Sequence, residues 1–235
     1  MRGKLRWLGV AFIEYITQAG KHILFDPWTQ SQGNDCCPYE NDAFAQTDLI
    51  LVSHDHFDHI GSAASITNLS GAQLGGPDES MKRLIAEEGV SPTSVVNNGG
   101  GYLVGGGFEN SWIKVVTTPA HHTSQTSMPL GTIAIFADGP TLYHAGDTSI
   151  VSEMEIFGRL YPIDIAFLPI FAPAMMDYVQ ATEAVRLLNP KKVMPIHFDF
   201  CQDPETELER FVHYCQQKNP HVEVISTQKD VFYMV

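Results

Sequence analysis

The first twenty-five residues alternate short apolar runs with polar breaks. Lys4 to Leu8, Ala11 to Thr17 and, after the turn Gln18-Ala19-Gly20, Lys21 to Phe25 predict a strand meander that Asp26-Pro27 ends. Trp28 to Asp42, with Gly33-Asn34-Asp35 and Pro38, has no period and reads as a loop able to lie over a site. Leu49-Ile50-Leu51-Val52 is a continuous apolar run of strand length, the mark of a strand buried on both faces. Further strand-like runs are Trp112 to Thr117, Thr132 to Ala137, Thr141 to Tyr143, Ile163 to Leu168, Lys192 to Ile196 and Val222 to Ile225.

Helical spacing predicts three amphipathic helices. Asp78 caps one that runs to about Glu88, with Met81, Leu84 and Ile85 on one face and Gly89 as a stop. Asp177 begins the second, with Ala181, Ala184, Val185 and Leu188 as its apolar face before Asn189-Pro190. Asp203-Pro204 begins the third, whose stripe is Leu208, Phe211, Val212 and Cys215. Strand-rich stretches followed by helices in both halves imply sheets covered by helices.

At 235 residues, with no repeat or linker, the chain reads as one domain over 1–235. Hydrophobic residues at 44% supply a sizeable core, which excludes disorder. A net charge of -13 has the wrong sign for neutralising phosphate backbones, so nucleic acid is not an expected partner. The basic start Met1-Arg2 before an apolar run imitates a signal peptide, but Glu14 interrupts it and no cleavage site follows. No run approaches the roughly eighteen apolar residues of a membrane span, and a cytoplasmic location without membrane partners is expected. The four cysteines, with Cys36 and Cys37 adjacent and no C-x-x-C, read as free thiols.

The chemistry concentrates in Ser53-His54-Asp55-His56-Phe57-Asp58-His59-Ile60-Gly61, directly after the buried run. This H-x-H-x-D-H pattern packs imidazole and carboxylate donors at a density that suits zinc-like ions, and an irregular turn lets alternate side chains diverge toward two centres. The alternative is a His-rich surface turn. The Gly-rich stretch from Gly99 to Gly107 lacks a Gly-Lys-Ser/Thr ending and reads as tight turns.

This motif resembles the signature of the metallo-β-lactamase superfamily. Further landmarks follow in the order expected of its small stand-alone hydrolases: Phe25-Asp26-Pro27, Pro119-Ala-His-His-Thr-Ser, Tyr143-His-Ala-Gly-Asp-Thr148 and Pro195-Ile-His197. The resemblance, which extends to the ascorbate-6-phosphate lactonase-like branch, implies an α/β (α+β) αββα sandwich of two mixed sheets flanked by helices. It also implies His54, His56 and His122 on one metal, Asp58, His59 and His197 on a second, and Asp147 between them. The implied function is a dinuclear metal-dependent hydrolase. A metal-bound hydroxide would attack a small-molecule ester, lactone, amide or phosphoester, with Asp58 catalytic. Two divalent ions per chain are expected, zinc first, with manganese or iron as alternatives. A regulatory or binding protein of the same fold with little turnover is the competing expectation.

Alignment to the pattern selects His122 over His121 as ligand and leaves His121 to line the substrate pocket. His144 reads as a hydrogen-bonding histidine behind the ligands. His56 stands where di-iron flavoprotein relatives carry Glu, and no flavin domain follows, which argues against redox chemistry. A small-molecule substrate is the expected partner, and homo-oligomerisation is left open.

Overall fold

The structure, a computed structural model, describes residues 3–235; the basic start Met1-Arg2 lies outside the described residues. One sheet comprises β1 (Lys4–Trp7), β2 (Ile13–Ile16), β3 (His22–Phe25), β4 (Leu49–Leu51), β5 (Gln73–Gly75) and the late strand β13 (Tyr233–Met234), in the order β13-β1-β2-β3-β4-β5. The other comprises β6 (Gly107–Glu109), β7 (Ile113–Pro119), β8 (Leu130–Phe136), β9 (Thr141–His144), β10 (Ile165–Pro169), β11 (Lys192–Ile196) and β12 (Glu223–Val224), in the order β12-β11-β10-β9-β8-β7-β6. Both sheets are mixed.

The apolar runs explain the layering. In β3, Ile23 and Phe25 join the core between the sheets, while Leu24 faces the other way. Leu49 and Leu51 likewise point inward, and Ile50 and Val52 outward. A period of two with every position apolar therefore buries both faces. Across the central core, Tyr15 meets Phe136 with ring centroids 4.8 Å apart, and Phe25 meets Phe167 at 6.4 Å. Each such side chain contributes about 1.5–3 kcal/mol on burial.

The outward face of the first sheet packs on α2 (Ala63–Ser70) and α3 (Asp78–Glu87) through Ile66, Met81 and Leu84, after the single-turn α1 (Phe57–Ile60). The second sheet is covered by α4 (Met154–Leu160), α5 (Tyr178–Leu188) and α6 (Pro204–Lys218). The layers are thus helix, sheet, sheet, helix, the αββα sandwich the resemblance implies. Among the described residues no helix is long and apolar enough to cross a membrane.

Among the described residues six α-helices form where sequence periodicity predicts three, because α1, α2 and α4 have four, eight and seven residues and too few turns to show a period. Asp177 caps α5 as expected, accepting from the Gln180 N–H at 2.8 Å in a reciprocal capping box, and Asp203 accepts from the Thr206 N–H at 3.2 Å. Asp78 does not cap α3. Pro77 occupies the N-cap, and Asp78 lies inside the first turn with its carboxylate 2.7 Å from Lys82 Nζ.

Strand direction decides where the chemistry gathers. β3, β4 and β5 run parallel, as do β9, β10 and β11, and β7 is parallel to β9 through two antiparallel pairings. The segments that leave β3, β4, β7, β9 and β11 at their C-terminal ends carry Asp26, the His54 to His59 motif, His122, Asp147 and His197. Parallel direction puts them at one edge of the sandwich.

Candidate metal centre

Asp147 Oδ2 is the focus of the cluster. His59 Nε2 lies 3.2 Å from it, His197 Nε2 3.4 Å, His122 Nε2 3.5 Å and His54 Nε2 4.0 Å. His56 approaches through Nδ1, 2.9 Å from His54 Nε2. Asp58 Oδ2 stands 3.3 Å from His197 Nε2 and 3.7 Å from His59 Nε2. The donor atoms fall into two groups, His54, His56, His122 and Asp147 in one, and Asp58, His59 and His197 in the other. All seven residues assigned from the resemblance are therefore brought together.

Several of these donors have no protein partner. His59 Nε2, His197 Nε2 and Nδ1, and Asp147 Oδ1 are buried and make no hydrogen bond. An unsatisfied buried polar group costs about 1–3 kcal/mol, so a convergent set of them is a stable arrangement only if something else satisfies it. Imidazole nitrogens and carboxylate oxygens facing a common centre fit divalent cations of the zinc type.

Behind these donors stands Asp26, fully buried and left-handed at φ 46°. One of its oxygens accepts the Ser53 N–H at 2.7 Å. The other accepts Ser53 Oγ–H and His59 Nδ1–H, each at 2.7 Å. Ser53 Oγ is in turn 2.9 Å from His54 Nδ1. A single carboxylate thus orients one ligand of each group and turns Nε2 of His59, the atom that would hold a metal once its proton is released, toward the centre.

Asp55, which sequence reading leaves without a role, faces away from the metal donors. Its carboxylate accepts from Ser124 Oγ, Thr126 Oγ1 and the N–H groups of Gln125 at 2.8 Å and Thr126 at 3.3 Å. These bonds tie the His54 to His59 turn to the segment that carries His122. His144 donates from Nε2 to the Ala11 carbonyl at 2.9 Å and accepts the Gly146 N–H at Nδ1, so neither nitrogen is free for a metal. Gly146 is left-handed at φ 62°, and a Cβ there would sit 2.7 Å from Ser53 Cβ, so only glycine lets Asp147 approach this closely.

His121 and His122 separate clearly. The His121 N–H donates to Thr148 Oγ1 at 2.9 Å and its carbonyl accepts from Ser149 N–H, pinning the backbone while its side chain remains exposed and outside both donor groups. We expect His122→Ala to lower metal content sharply and His121→Ala to retain both ions. Metal titration of the two variants checks this; loss of metal from His121→Ala alone would reverse the assignment.

The electrostatics follow the contacts. Burial, then the nearby His59, holds His54 down to about 3, leaving it neutral at pH 7. Burial also opposes charge on His197, but Asp147 and Asp58 outweigh it and raise that histidine to about 9. His59 is raised well above its usual value despite burial because Asp147 and Asp26 flank it. Burial opposes ionisation of Asp58 too, yet the close approach of His197 Nε2 at 3.3 Å and the charges of His59 and His197 lower it.

All four cysteines are free. Cys201 donates to the Ile170 carbonyl, outside both donor groups. Met176 is fully buried in the central core rather than lining a pocket. The loop from Trp28 is tied down: Trp28 Nε1 donates to the Gln32 carbonyl at 2.8 Å, and Asn34 Nδ2 to the Trp28 carbonyl at 2.7 Å.

The beta-lactamase superfamily domain matches residues 21–198, and the chain belongs to that superfamily. Its relatives include proteins named UPF0173 metal-dependent hydrolase. That of Nitratidesulfovibrio vulgaris is 40% identical over 84% of this chain and 81% of its own length, and that of Caldivirga maquilingensis 37% identical over 94% and 93%. Among solved structures, Igni18, a metallo hydrolase of Ignicoccus hospitalis, superposes with a TM-score of 0.85 at 27% identity, covering 100% of both chains.

Proposed function

We propose that this chain is a dinuclear metal-dependent hydrolase that cleaves an ester, lactone, amide or phosphoester bond in a small molecule. The observation that carries the reading is the convergence of four imidazole Nε2 atoms on Asp147 Oδ2, with buried donors that no protein group satisfies. His54, His56 and His122 would hold one ion and Asp58, His59 and His197 the other, with Asp147 shared. Two divalent ions bound there would supply Lewis acidity toward the scissile group and a hydroxide nucleophile near neutral pH.

The chain's own residues do the rest. Asp58 is ionised at neutral pH and accepts a proton at its carboxylate, which faces His197 and His59 and keeps 9% side-chain exposure. Asp26 holds the His59 proton on Nδ1, and Ser53 sets the direction of His54. The acidic net charge supports a small-molecule substrate over nucleic acid.

Elemental analysis of protein purified without chelator tests the reading, with about two ions per chain expected. A ratio that stays at one after reconstitution would remove the dinuclear mechanism. The proton balance adds a second check. A metal ligand must be deprotonated, and His59 and His197 hold protons at pH 7 in the metal-free chain, so binding releases protons and affinity climbs as pH rises toward about 9. Conversely, the raised His197 contributes to metal-free stability below its unfolded value of about 6.5, and that contribution is lost as pH rises through about 9. Calorimetry in two buffers of different ionisation enthalpy measures the release; zero protons at pH 7 would contradict the ligand roles of both histidines.

A further inference from the structure

Four aromatic rings form a connected arc on the side of the centre that carries Asp58 and His197. Phe171 stacks on the His197 ring with centroids 5.6 Å apart and planes 11° apart, and Phe200 meets the same ring edge-on at 5.2 Å. Trp28 joins Phe200 at 6.2 Å and Phe57 at 5.4 Å. Trp28 is buried, but Phe57 is 64% exposed and Phe200 40%. Phe57 lies between the proposed ligands His56 and Asp58 in the sequence, and its exposed ring packs edge-on against Trp28. Exposed large apolar rings that are backed by a buried third and border a reactive site are the chemistry of a binding wall rather than of a solvated surface.

Charge narrows what such a wall accepts. From Phe171 and Phe200 the surface continues into a hollow of about 520 Å³ whose charged lining residues are Asp203 and Glu207, with no Lys or Arg among the described residues that line it. Arg83, the cation beside the metal motif, is turned to Asp55, Glu87 and Glu88 at 3.7–3.9 Å. The opposite flank is polar, with Thr123 Oγ1 3.5 Å from His56 Nε2. An anionic substituent reaching past the centre into this hollow would face Asp203 and Glu207, whereas a neutral ring or alkyl chain would stack on Phe57 and Phe200.

Resting on the hydrolase reading above, we propose that the substrate is a neutral ester or lactone whose acyl portion carries an aryl or mid-length alkyl arm lying on Phe57 and Phe200. Arms that carry a phosphate or carboxylate into the hollow beside Asp203 and Glu207 are disfavoured. Hydrolysis consumes one water and breaks the acyl C–O bond, yielding from an ester a carboxylic acid bearing the apolar arm together with an alcohol, and from a lactone a single hydroxy acid that keeps the arm.

Binding of hydroxamates to the zinc-loaded protein tests this without turnover, because the chelating head is constant and only the arm changes. Acetohydroxamate, hexanohydroxamate, benzohydroxamate and the monohydroxamate of succinate are compared by calorimetry. The hexano and benzo compounds are expected to bind about tenfold more tightly than acetohydroxamate, in keeping with partial burial of several methylenes or a ring, and the succinate compound more weakly than the hexano one. Phe57→Ala and Phe200→Ala should each shrink the hexano-to-aceto ratio, and the double variant should bring it near one, with two ions retained. Equal affinities across the series, tighter binding of the succinate arm, or an undiminished ratio in the double variant would overturn the proposal and leave the hydrolase reading standing. Failure of every hydroxamate to bind the zinc-loaded chain would overturn both.

Discussion

Asp58→Asn, reloaded with two metal ions, is expected to lose at least about a hundredfold in turnover, within the usual range for general acid-base help. The substitution keeps the side-chain shape but removes the charge and most of the basicity from the group that faces His197 Nε2 at 3.3 Å. Its carboxylate is held ionised, against the cost of burial, by the close approach of His197 and the charges of His59 and His197, and an amide has no equivalent state. Substrate affinity should change much less, because the other donors still place the ions. Steady-state kinetics and metal analysis on the same sample separate the two effects. Near-normal turnover with two ions bound would exclude Asp58 from the proton transfer.

Asp26→Asn is expected to weaken metal binding by about 10–100-fold, the range for loss of a group that orients a ligand. The carboxylate accepts from three donors, Ser53 N–H, Ser53 Oγ–H and His59 Nδ1–H, and is itself held down to about 2 by His59, His144 and His54 in spite of complete burial. An amide can present only one oxygen. If that oxygen keeps the Ser53 N–H, the NH2 group faces His59 Nδ1, which must then accept, and the imidazole proton moves to the Nε2 that should bind metal. Stability should fall as well, because removing one partner of a buried ion pair costs about 3–5 kcal/mol. Competitive titration with a chromophoric chelator measures the affinity, and a thermal melt of the metal-free variant measures the stability. Unchanged affinity in a folded variant would show that Asp26 does not set the His59 tautomer.

The positions of the donors, as distinct from their supports, were legible because each follows a strand-like run: the motif after Leu49–Leu51, Asp147 after Thr141–His144 and His197 after Lys192–Ile196. The supports were not legible. Asp26 read as the end of a strand and a landmark of the resemblance but with no role, since its partner His59 is 33 positions away, and Asp55 read as a spacer inside the motif, since its donors lie 69 to 71 positions away. A carboxylate's partner across such separations leaves no local spacing to detect. Periodicity likewise found α3, α5 and α6 but not α1, α2 or α4, whose few turns cannot establish a 3.6-residue repeat.

By itself the sequence determined the two-faced apolar strands, the amphipathic helices and the dense donor motif, because these depend on residues within a few positions of one another. The resemblance carried by that motif and the other landmarks added the sandwich and the candidate donor set. Only the tertiary structure decided which segments share an edge, because strand direction sends the ends of β3, β4, β7, β9 and β11 the same way. It also decided that His122, not His121, turns toward Asp147, since the backbone around His121 is pinned to Thr148 and Ser149. The aromatic arc from Phe57 through Trp28 and Phe200 to Phe171 joins four distant segments, and no pattern in any one of them could have announced it.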